Sequence, residues 1–156
     1  MSGPTGAPTD GRGTVLLVNG PNLNLLGERE PEVYGTATLA DHVEMVRHAA
    51  GELGLEVEHL QSNHEGEVVD AIHAARGRVA AIVVNPGAFT HYAWAIHDAL
   101  AAFPGPIIEV HLSNPHSREG WRHLSVVSPV ATGTITGLGG LGYVLAIKAV
   151  ARLLDA

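Results

Sequence analysis

The stretch VAAIVVN, Val79–Asn85, is an almost continuous apolar run that stops at a Pro-Gly pair. A short apolar run bounded by turn residues predicts a buried strand. A second run, TVLLVN at Thr14–Asn19, has the same character and stops at a Gly-Pro pair. Strands buried on both faces are typical of parallel sheets covered by helices. The two runs therefore predict the centre of an α/β fold.

Helical and strand patterns alternate along the rest of the chain. Thr38 is a suitable helix N-cap with Asp41 three residues on, and an apolar stripe follows as far as Leu53. Further helices are predicted over 65–75, 92–102 and 140–154, a helical turn over 118–123, and strands over 55–61, 107–111 and 131–136. This alternation predicts a flavodoxin-like three-layer sandwich, with a five-stranded parallel sheet of order 2-1-3-4-5.

The length and composition limit the possible functions. The chain of 156 residues suits one catalytic α/β domain over 14–156, after a Gly/Pro-rich disordered tail over 1–13. A net charge of −7 with nine basic residues argues against a nucleic-acid surface, because phosphates attract clustered Lys and Arg. No apolar run approaches the roughly 18 residues that span a bilayer. The lack of cysteine fits a reducing compartment, so we expect a cytoplasmic protein.

Neither a metal nor a nucleotide cofactor is expected. The ten histidines lack the HExxH motif or other standard metal-ligand spacings. The stretch GLGGLG at Gly137–Gly142 matches the dinucleotide pattern G-x-G-x-x-G, but it follows the last strand and leaves no room for a βαβ unit. Its glycines instead predict a tight turn and close helix packing. His42, His48 and His73 fall in helical patterns and are expected at the surface.

Polar residues stand where three of the buried strands end. Asn19, Asn85 and His111 close the first, third and fourth strands. Ligands of open α/β sheets bind beyond the carboxyl ends of the strands, so these ends mark the expected site. Asn also suits turn geometry by itself, and a buried His is often a structural, hydrogen-bonded residue. The residues alone leave both explanations open.

The segment 20–35 is a long loop without periodicity, which is typical of a functional or disordered segment. It carries Arg29 and Tyr34, and a guanidinium near a phenol favours the tyrosinate form. A loop tyrosine is more often a packing residue, and the sequence does not show that these two side chains meet. His111 is a candidate general acid, and Glu109, on the same face of its strand, is placed to orient it.

Several blocks of sequence resemble the type II 3-dehydroquinate dehydratases. The first is VNGPNLNLLGEREPEVYG at Val18–Gly35. The others follow in matching order: Asn85–His91 (NPGAFTH), Glu109–Asn114 (EVHLSN), Arg118 with Arg122, Ser128-Pro129 and Ala131–Gly133. The similarity covers residues 14–154. The chain departs from the usual pattern at His97, where an Arg is expected before Asp98, and at Gly120-Trp121.

The resemblance implies a hydro-lyase that converts 3-dehydroquinate to 3-dehydroshikimate in the shikimate pathway of aromatic amino-acid biosynthesis. Quinate breakdown uses the same reaction and stays open from the sequence. The family proceeds by anti elimination through an enolate. By resemblance, Tyr34 is the base that takes the proton next to the ketone, and Arg29 favours its anionic form. His111 protonates the leaving hydroxyl, and Asn19 acts on the enolate through a water.

The resemblance also implies substrate-binding residues and an assembly. The binding positions are Asn85, His91, Asp98, Leu112, Ser113 and Arg122. Among them, backbone N–H groups of Leu112 and Ser113 hold the substrate carboxylate, and Asp98 reaches into a neighbouring subunit's site. The assembly is a homo-dodecamer of four trimers.

The single lysine, Lys148, falls in the last helix, away from every strand end, so an imine mechanism is not expected.

Three other functions stay open from the residues alone, because a fold does not fix a function. A flavin- or nucleotide-binding domain of the same architecture would bind FMN tightly, although the first loop is not a phosphate cradle. A non-catalytic metabolite-binding module would bind a ligand without turnover. A phosphorelay receiver would need an acidic pair after the first strand, where Asn19-Gly20 stands instead.

Overall fold

A five-stranded parallel sheet runs through the molecule, with the second strand of the sequence at one edge, followed by the first, third, fourth and fifth. The computed structural model describes residues 13–156. The strands are β1 (Gly13–Asn19), β2 (Leu55–Gln61), β3 (Ala81–Asn85), β4 (Ile107–His111) and β5 (Gly133–Thr136). The predicted flavodoxin-like fold and its strand order are confirmed. The predicted tail lies outside the described residues, apart from Gly13, which begins β1.

Within residues 13–156, five α-helices connect or flank these strands. They are α1 (Pro31–Tyr34), α2 (Leu39–Glu52), α3 (Glu65–Ala75), α4 (Trp94–Ala101) and α5 (Leu141–Leu154). Short 3-10 helices lie at Leu23–Leu25, Gly87–His91, Pro115–Ser117, Gly120–His123 and Ser128–Val130. The segment predicted as an irregular loop over 20–35 thus contains a 3-10 turn and the one-turn helix α1. None of the helices within 13–156 is long and apolar enough to cross a membrane.

The two faces of the sheet bury separate cores, because successive strand residues point to opposite sides. In β1, Val15 and Leu17 pack with residues of α2 and α5. Leu16 and Val18 pack with residues of α3 and α4 on the other face. Since both faces are covered, β1 and β3 are built almost wholly of apolar residues, and this made them recognisable in the sequence.

Some predicted bounds differ from the structure by one or two residues. β3 begins at Ala81 instead of 79, and β5 begins at Gly133 instead of 131. Helix α4 begins at Trp94 instead of 92, because the preceding Gly87–His91 segment winds as a 3-10 helix. Helix α5 begins at Leu141, one residue later than predicted.

Helix α2 begins with the capping interactions that the sequence predicted. The Thr38 hydroxyl accepts the N–H of Asp41 at 3.2 Å, and the Asp41 carboxylate accepts the N–H of Thr38 at 3.0 Å. These reciprocal bonds satisfy two backbone donors that the first helical turn leaves unpaired. They also hold the pKa of Asp41 below its ordinary value.

His42 is buried, so its predicted surface position was wrong. It lies four residues before Val46 and therefore falls on the apolar stripe of α2. Its ring lies 5.6 Å from the ring of Tyr143, in space left by the missing side chain of Gly140. Neither ring nitrogen has a hydrogen-bond partner within the described chain, and burial lowers the pKa of His42. His48 and His73 are exposed, as predicted.

The carboxyl ends of β1 and β3 are joined by a backbone hydrogen bond. Asn19 and Asn85 are register partners, and the N–H of Gly20 donates to the carbonyl of Asn85 at 2.8 Å. The loops that follow β1 and β3 approach so closely that a Cβ on Gly20 would overlap the carbonyl of Pro86. Glycine is therefore required at position 20 by contact with the neighbouring loop.

We expect Gly20→Ala to lower the free energy of unfolding by about 1–3 kcal/mol, because the two loops must separate to accept a methyl group. Gly51→Ala is the matched control, since Gly51 is exposed in α2 and a Cβ there meets nothing. That change should raise the stability by up to about 1 kcal/mol through helix propensity. Urea unfolding measures both, and effects of the same sign would contradict the prediction.

Candidate active site

A cavity of about 170 Å³ opens where β1, β3 and β4 end. The loops after these strands and the segment that contains α1 form its wall. Its lining includes Asn22, Arg29, Tyr34, Asn85, His91, His111, Leu112, Ser113, Arg118, Trp121 and Arg122. The position agrees with the general rule for open α/β sheets, whose ligands bind beyond the carboxyl ends of the strands.

One side of the cavity places two guanidinium groups against a phenol. Arg118 donates from Nη1 to the hydroxyl oxygen of Tyr34 at 3.0 Å, and also to the hydroxyl of Ser113 at 3.0 Å. The guanidinium carbon of Arg29 lies 5.1 Å from the centre of the Tyr34 ring. Both arginines bring positive charge to Tyr34, and such charges stabilise a phenolate relative to a phenol.

Helix α1 presents Tyr34 to the cavity. Pro31 occupies its first turn, where a missing N–H costs nothing, and Glu30 before it has a left-handed backbone with φ of 39°. The helix ends at Tyr34, and Gly35 caps it with a φ of 82°. This single turn inside a long segment fixes the direction of the tyrosine side chain.

The cavity lining also carries an imidazole bound to a buried carboxylate. Nε2 of His111 lies 2.5 Å from Oε2 of Glu109. Glu109 is only 1% exposed, and it accepts hydrogen bonds from the hydroxyls of Thr90 at 2.7 Å, Ser125 at 3.1 Å and Ser128 at 2.5 Å. Burial alone would raise the pKa of Glu109. The hydrogen bonds and the positive charge of His111 outweigh this effect, so the pKa lies below its ordinary value.

His91 and Arg122 also line the cavity. Nδ1 of His91 donates to the carbonyl of Leu124 at 2.6 Å, so Nε2 is left as an acceptor in the neutral ring. Burial, His111 and Arg122 lower the pKa of His91, although the carbonyl contact opposes them. The guanidinium of Arg122 lies 4.0 Å above the Trp121 ring and binds Glu119 at 2.6 Å.

The structure brings together eight of the ten residues singled out from the sequence. Those lining the cavity are Tyr34, His111, Arg29, Asn85, His91, Leu112, Ser113 and Arg122. Asn19 is fully buried behind the cavity wall, where it contacts His59 and Tyr143. Asp98 is exposed on α4 and does not line the cavity of its own chain.

Arg118 and Asn22 are among the cavity residues that were not singled out as site residues from the sequence. Arg118 lies 84 positions from Tyr34, and no local spacing indicates their contact. Asn22 is three residues beyond Asn19 and has a left-handed backbone with φ of 66°. Asparagine tolerates that conformation unusually well, which is the one local sign that position 22 is special.

Other features of the described chain lie outside this cavity. Within residues 13–156, no group of three or more His, Asp or Glu side chains is arranged to hold a metal ion. Lys148 lies in a groove between α2 and α5 that shares no residue with the cavity. The glycine-rich segment forms the turn into α5, and Gly142 packs closely against the side chains of Val110 and Ile135. This agrees with the interpretation of the glycines as packing residues.

The fold and the cavity define an α/β enzyme of flavodoxin-like architecture. The family model described as dehydroquinase class II matches residues 13–151. The chain is 58% identical over 141 residues to the 3-dehydroquinate dehydratase 2 of Pseudomonas putida, covering 90% of this chain and 95% of that protein. It is 56% identical over 138 residues to a catabolic 3-dehydroquinase of Aspergillus clavatus, covering 88% and 92%.

Solved structures agree with these relatives. The type II dehydroquinase of Propionibacterium acnes matches with a TM-score of 0.84 and 46% identity, over 89% of this chain and 96% of that chain. The chain therefore belongs to the class II dehydroquinase family, and it is a lyase.

Glu109→Gln should destabilise the fold near neutral pH by about 1–3 kcal/mol, because a neutral amide replaces a buried carboxylate that its neighbours bind as an anion. A carboxyl group whose pKa is lowered on folding stabilises the protein fully above the pKa of the unfolded chain, roughly 4.3. That contribution disappears as the pH falls through the lower folded pKa. The deficit of the variant should therefore shrink in acid, as measured by urea unfolding between pH 7 and pH 3.

Glu56→Gln is the control, since it removes an exposed carboxylate on β2. Its effect should stay within about 0.5 kcal/mol at pH 7. A Glu109→Gln deficit that grows on acidification would contradict the assignment of an ionised, hydrogen-bonded Glu109.

Proposed function

We propose that this chain removes water from 3-dehydroquinate to give 3-dehydroshikimate, by anti elimination through an enolate, in aromatic amino-acid biosynthesis. The relatives named above are dehydratases and dehydroquinases, and they support the overall reaction. The observation that carries the mechanism is the contact of Arg118 with the Tyr34 hydroxyl, in the cavity that His111 also lines. A base and an acid therefore have access to one bound molecule.

In the proposed first step, the Tyr34 phenolate takes the proton from the carbon beside the ketone. The electron pair of that C–H bond moves onto the ketone oxygen and forms the enolate. Arg118 donates to the Tyr34 oxygen and Arg29 lies over its ring, so both guanidinium groups are placed to offset negative charge during this step. Asn19, the residue first expected to bind the enolate water, is enclosed by the fold. We assign the role of binding the enolate water to Asn22, which lines the cavity.

In the second step, the enolate collapses and expels a hydroxyl group from the neighbouring carbon. The electron pair returns to form the carbon–carbon double bond conjugated with the ketone. His111 gives its proton to the departing oxygen, so water leaves. Glu109 fixes the direction of the imidazole. His111 is assigned as the acid because its imidazole is paired with the Glu109 carboxylate and lines the same cavity as the phenol.

The remaining cavity residues are assigned to substrate binding. Asn85, His91 and Arg122 hold hydroxyl groups, and the backbone N–H groups of Leu112 and Ser113 receive the carboxylate. His91 suits this role because its neutral ring presents Nε2 as an acceptor. These side chains require no cofactor or metal for the reaction as written.

The proposal extends to the assembly, a homo-dodecamer in which Asp98 reaches a neighbouring subunit's cavity. Trp94 and Asp98 lie four residues apart on one face of α4, and both are exposed. Trp121 and Leu124 near the cavity are also more than half exposed. Exposed apolar side chains that form a contiguous patch are typical of protein contacts, so we assign these side chains to the contacts between subunits.

Tyr34→Phe should lower kcat by about 10²–10⁴-fold, because it removes the general base and leaves the ring in place. Arg29→Ala and His111→Ala should also lower kcat strongly. The assay adds 3-dehydroquinate and follows the ultraviolet absorbance of the conjugated enone. Tyr92→Phe, which removes an exposed phenol hydroxyl outside the cavity, should retain full turnover.

Near-normal turnover by any of the three cavity variants would remove that residue from its assigned role. No product from the unaltered enzyme would end the proposal as a whole. The pathway is tested in a bacterial strain that lacks its own dehydratase. The chain should restore its growth without aromatic amino acids, and the Tyr34→Phe variant should not.

Trp94→Glu should produce smaller particles and lower activity, because a charge replaces an apolar contact between subunits. Asp98→Ala should lower activity and leave the particle mass unchanged, because this side chain serves the neighbouring cavity. Sedimentation velocity and turnover, measured on the same preparations, separate the two effects. A fully active monomer of the unaltered chain would refute the proposed assembly.

A further inference from the structure

A buried chain of hydrogen bonds leads from the cavity wall into the sheet. Asn85, the cavity residue at the end of β3, donates through Nδ2 to the hydroxyl of Tyr143 at 2.9 Å. Tyr143 donates in turn to Oδ1 of Asn19, at the end of β1. Nδ2 of Asn19 lies 3.0 Å from Nε2 of His59 on β2. Three strands and helix α5 are thus joined through four side chains.

The direction of every bond in this chain is fixed. An amide nitrogen only donates, so Nε2 of His59 accepts from Asn19, which requires a neutral imidazole. Burial and the charge of Arg47 lower the pKa of His59, which agrees with the neutral form. Oδ1 of Asn19 therefore receives the single proton of Tyr143, and the oxygen of Tyr143 is left to accept from Asn85.

This arrangement determines which end of the Asn85 amide faces the cavity. Oδ1 of Asn85 accepts the N–H of Gly87 at 3.2 Å, and one Nδ2 hydrogen is bound to Tyr143. Turning the amide over would break both bonds. The second Nδ2 hydrogen is the group that remains for a ligand. Asn85 therefore presents a hydrogen-bond donor of fixed direction.

We propose that Tyr143 is a positioning residue for the dehydration: its hydroxyl holds the Asn85 carboxamide as an oriented donor to a substrate oxygen. This inference rests on the proposed function of the cavity. It also gives Asn19 a part in the site, because Asn19 receives the Tyr143 proton and thereby leaves the hydroxyl oxygen free to accept from Asn85.

Packing alone does not account for the hydroxyl of Tyr143. The residue is 1% exposed in α5, and burial raises the pKa of its phenol, so the proton stays on the oxygen. A phenylalanine would fill the same space, and a buried hydroxyl costs free energy unless it is fully hydrogen-bonded. The cost is offset by the two asparagine contacts, which are also the contacts that orient the cavity amide.

The kinetic test is Tyr143→Phe, which removes one oxygen atom and keeps the ring. The KM for 3-dehydroquinate should rise by about tenfold, the value of one well-oriented hydrogen bond, while kcat falls by a smaller factor. Ile147→Val is the matched control, since Ile147 is fully buried one turn further along α5 and outside the cavity. It should lower Tm and leave KM unchanged. An unchanged KM in Tyr143→Phe would overturn the inference.

A double-mutant cycle identifies the residue through which Tyr143 acts. In an Asn85→Ala background, Tyr143→Phe should produce no further rise in KM, because the amide that it orients is already gone. A tenfold rise that persists in this background would overturn the inference, since Tyr143 would then act by another route.

Hydrogen exchange provides a test that requires no substrate. The Gly87 amide donates to Asn85, so loosening Asn85 should speed deuterium uptake by the peptide over residues 85–89 in Tyr143→Phe. The rate should stay at the unaltered value in Ile147→Val. Unchanged uptake in Tyr143→Phe would overturn the inference. If the unaltered chain does not turn over 3-dehydroquinate, the proposed function fails, and the exchange result still decides whether Tyr143 holds Asn85.

Discussion

The active-site cavity exists because β1 and β3 lie side by side and the loops that follow them run in different directions. Asn19 and Asn85 are register partners, and the Gly20 N–H extends the pairing one residue beyond the strand. From there one loop runs towards the segment containing α1, and the other turns into the 3-10 helix Gly87–His91. The space between diverging loops at such a point is where parallel α/β proteins bind ligands. A shift in this pairing would move every cavity wall relative to the others.

The fold was predictable because its decisive signals are local. β1 and β3 are buried on both faces, and they appear in the sequence as apolar runs that end at Gly-Pro or Pro-Gly pairs. The capping residues of α2 also act within four positions of each other. An error arose at His42, where the residue type and the helical position give opposite indications of burial. His42 has a polar side chain, yet it occupies an apolar-stripe position and fills the space beside Gly140.

The site was predictable only in part, because its most informative contacts join distant parts of the chain. Strand ends indicated Asn85 and His111, but no spacing connects Arg118 with Tyr34. Arg29, Arg118 and Arg122 all line the cleft of a chain whose net charge is −7. Clustering of positive charge in one concave place, on an otherwise acidic protein, favours the entry of a carboxylate ligand. That concentration is a property of the folded surface and does not appear in the composition.

The position of Lys148 has a practical consequence for covalent labelling and immobilisation. It is the only lysine in the sequence, and its exposed side chain lies between α2 and α5, outside the cleft. Apart from the terminal amine, a reagent selective for primary amines has one place to react. Because the chain also lacks cysteine, a thiol introduced at any chosen position would be unique. Dyes or solid supports can therefore be attached at defined points while the cleft stays chemically untouched.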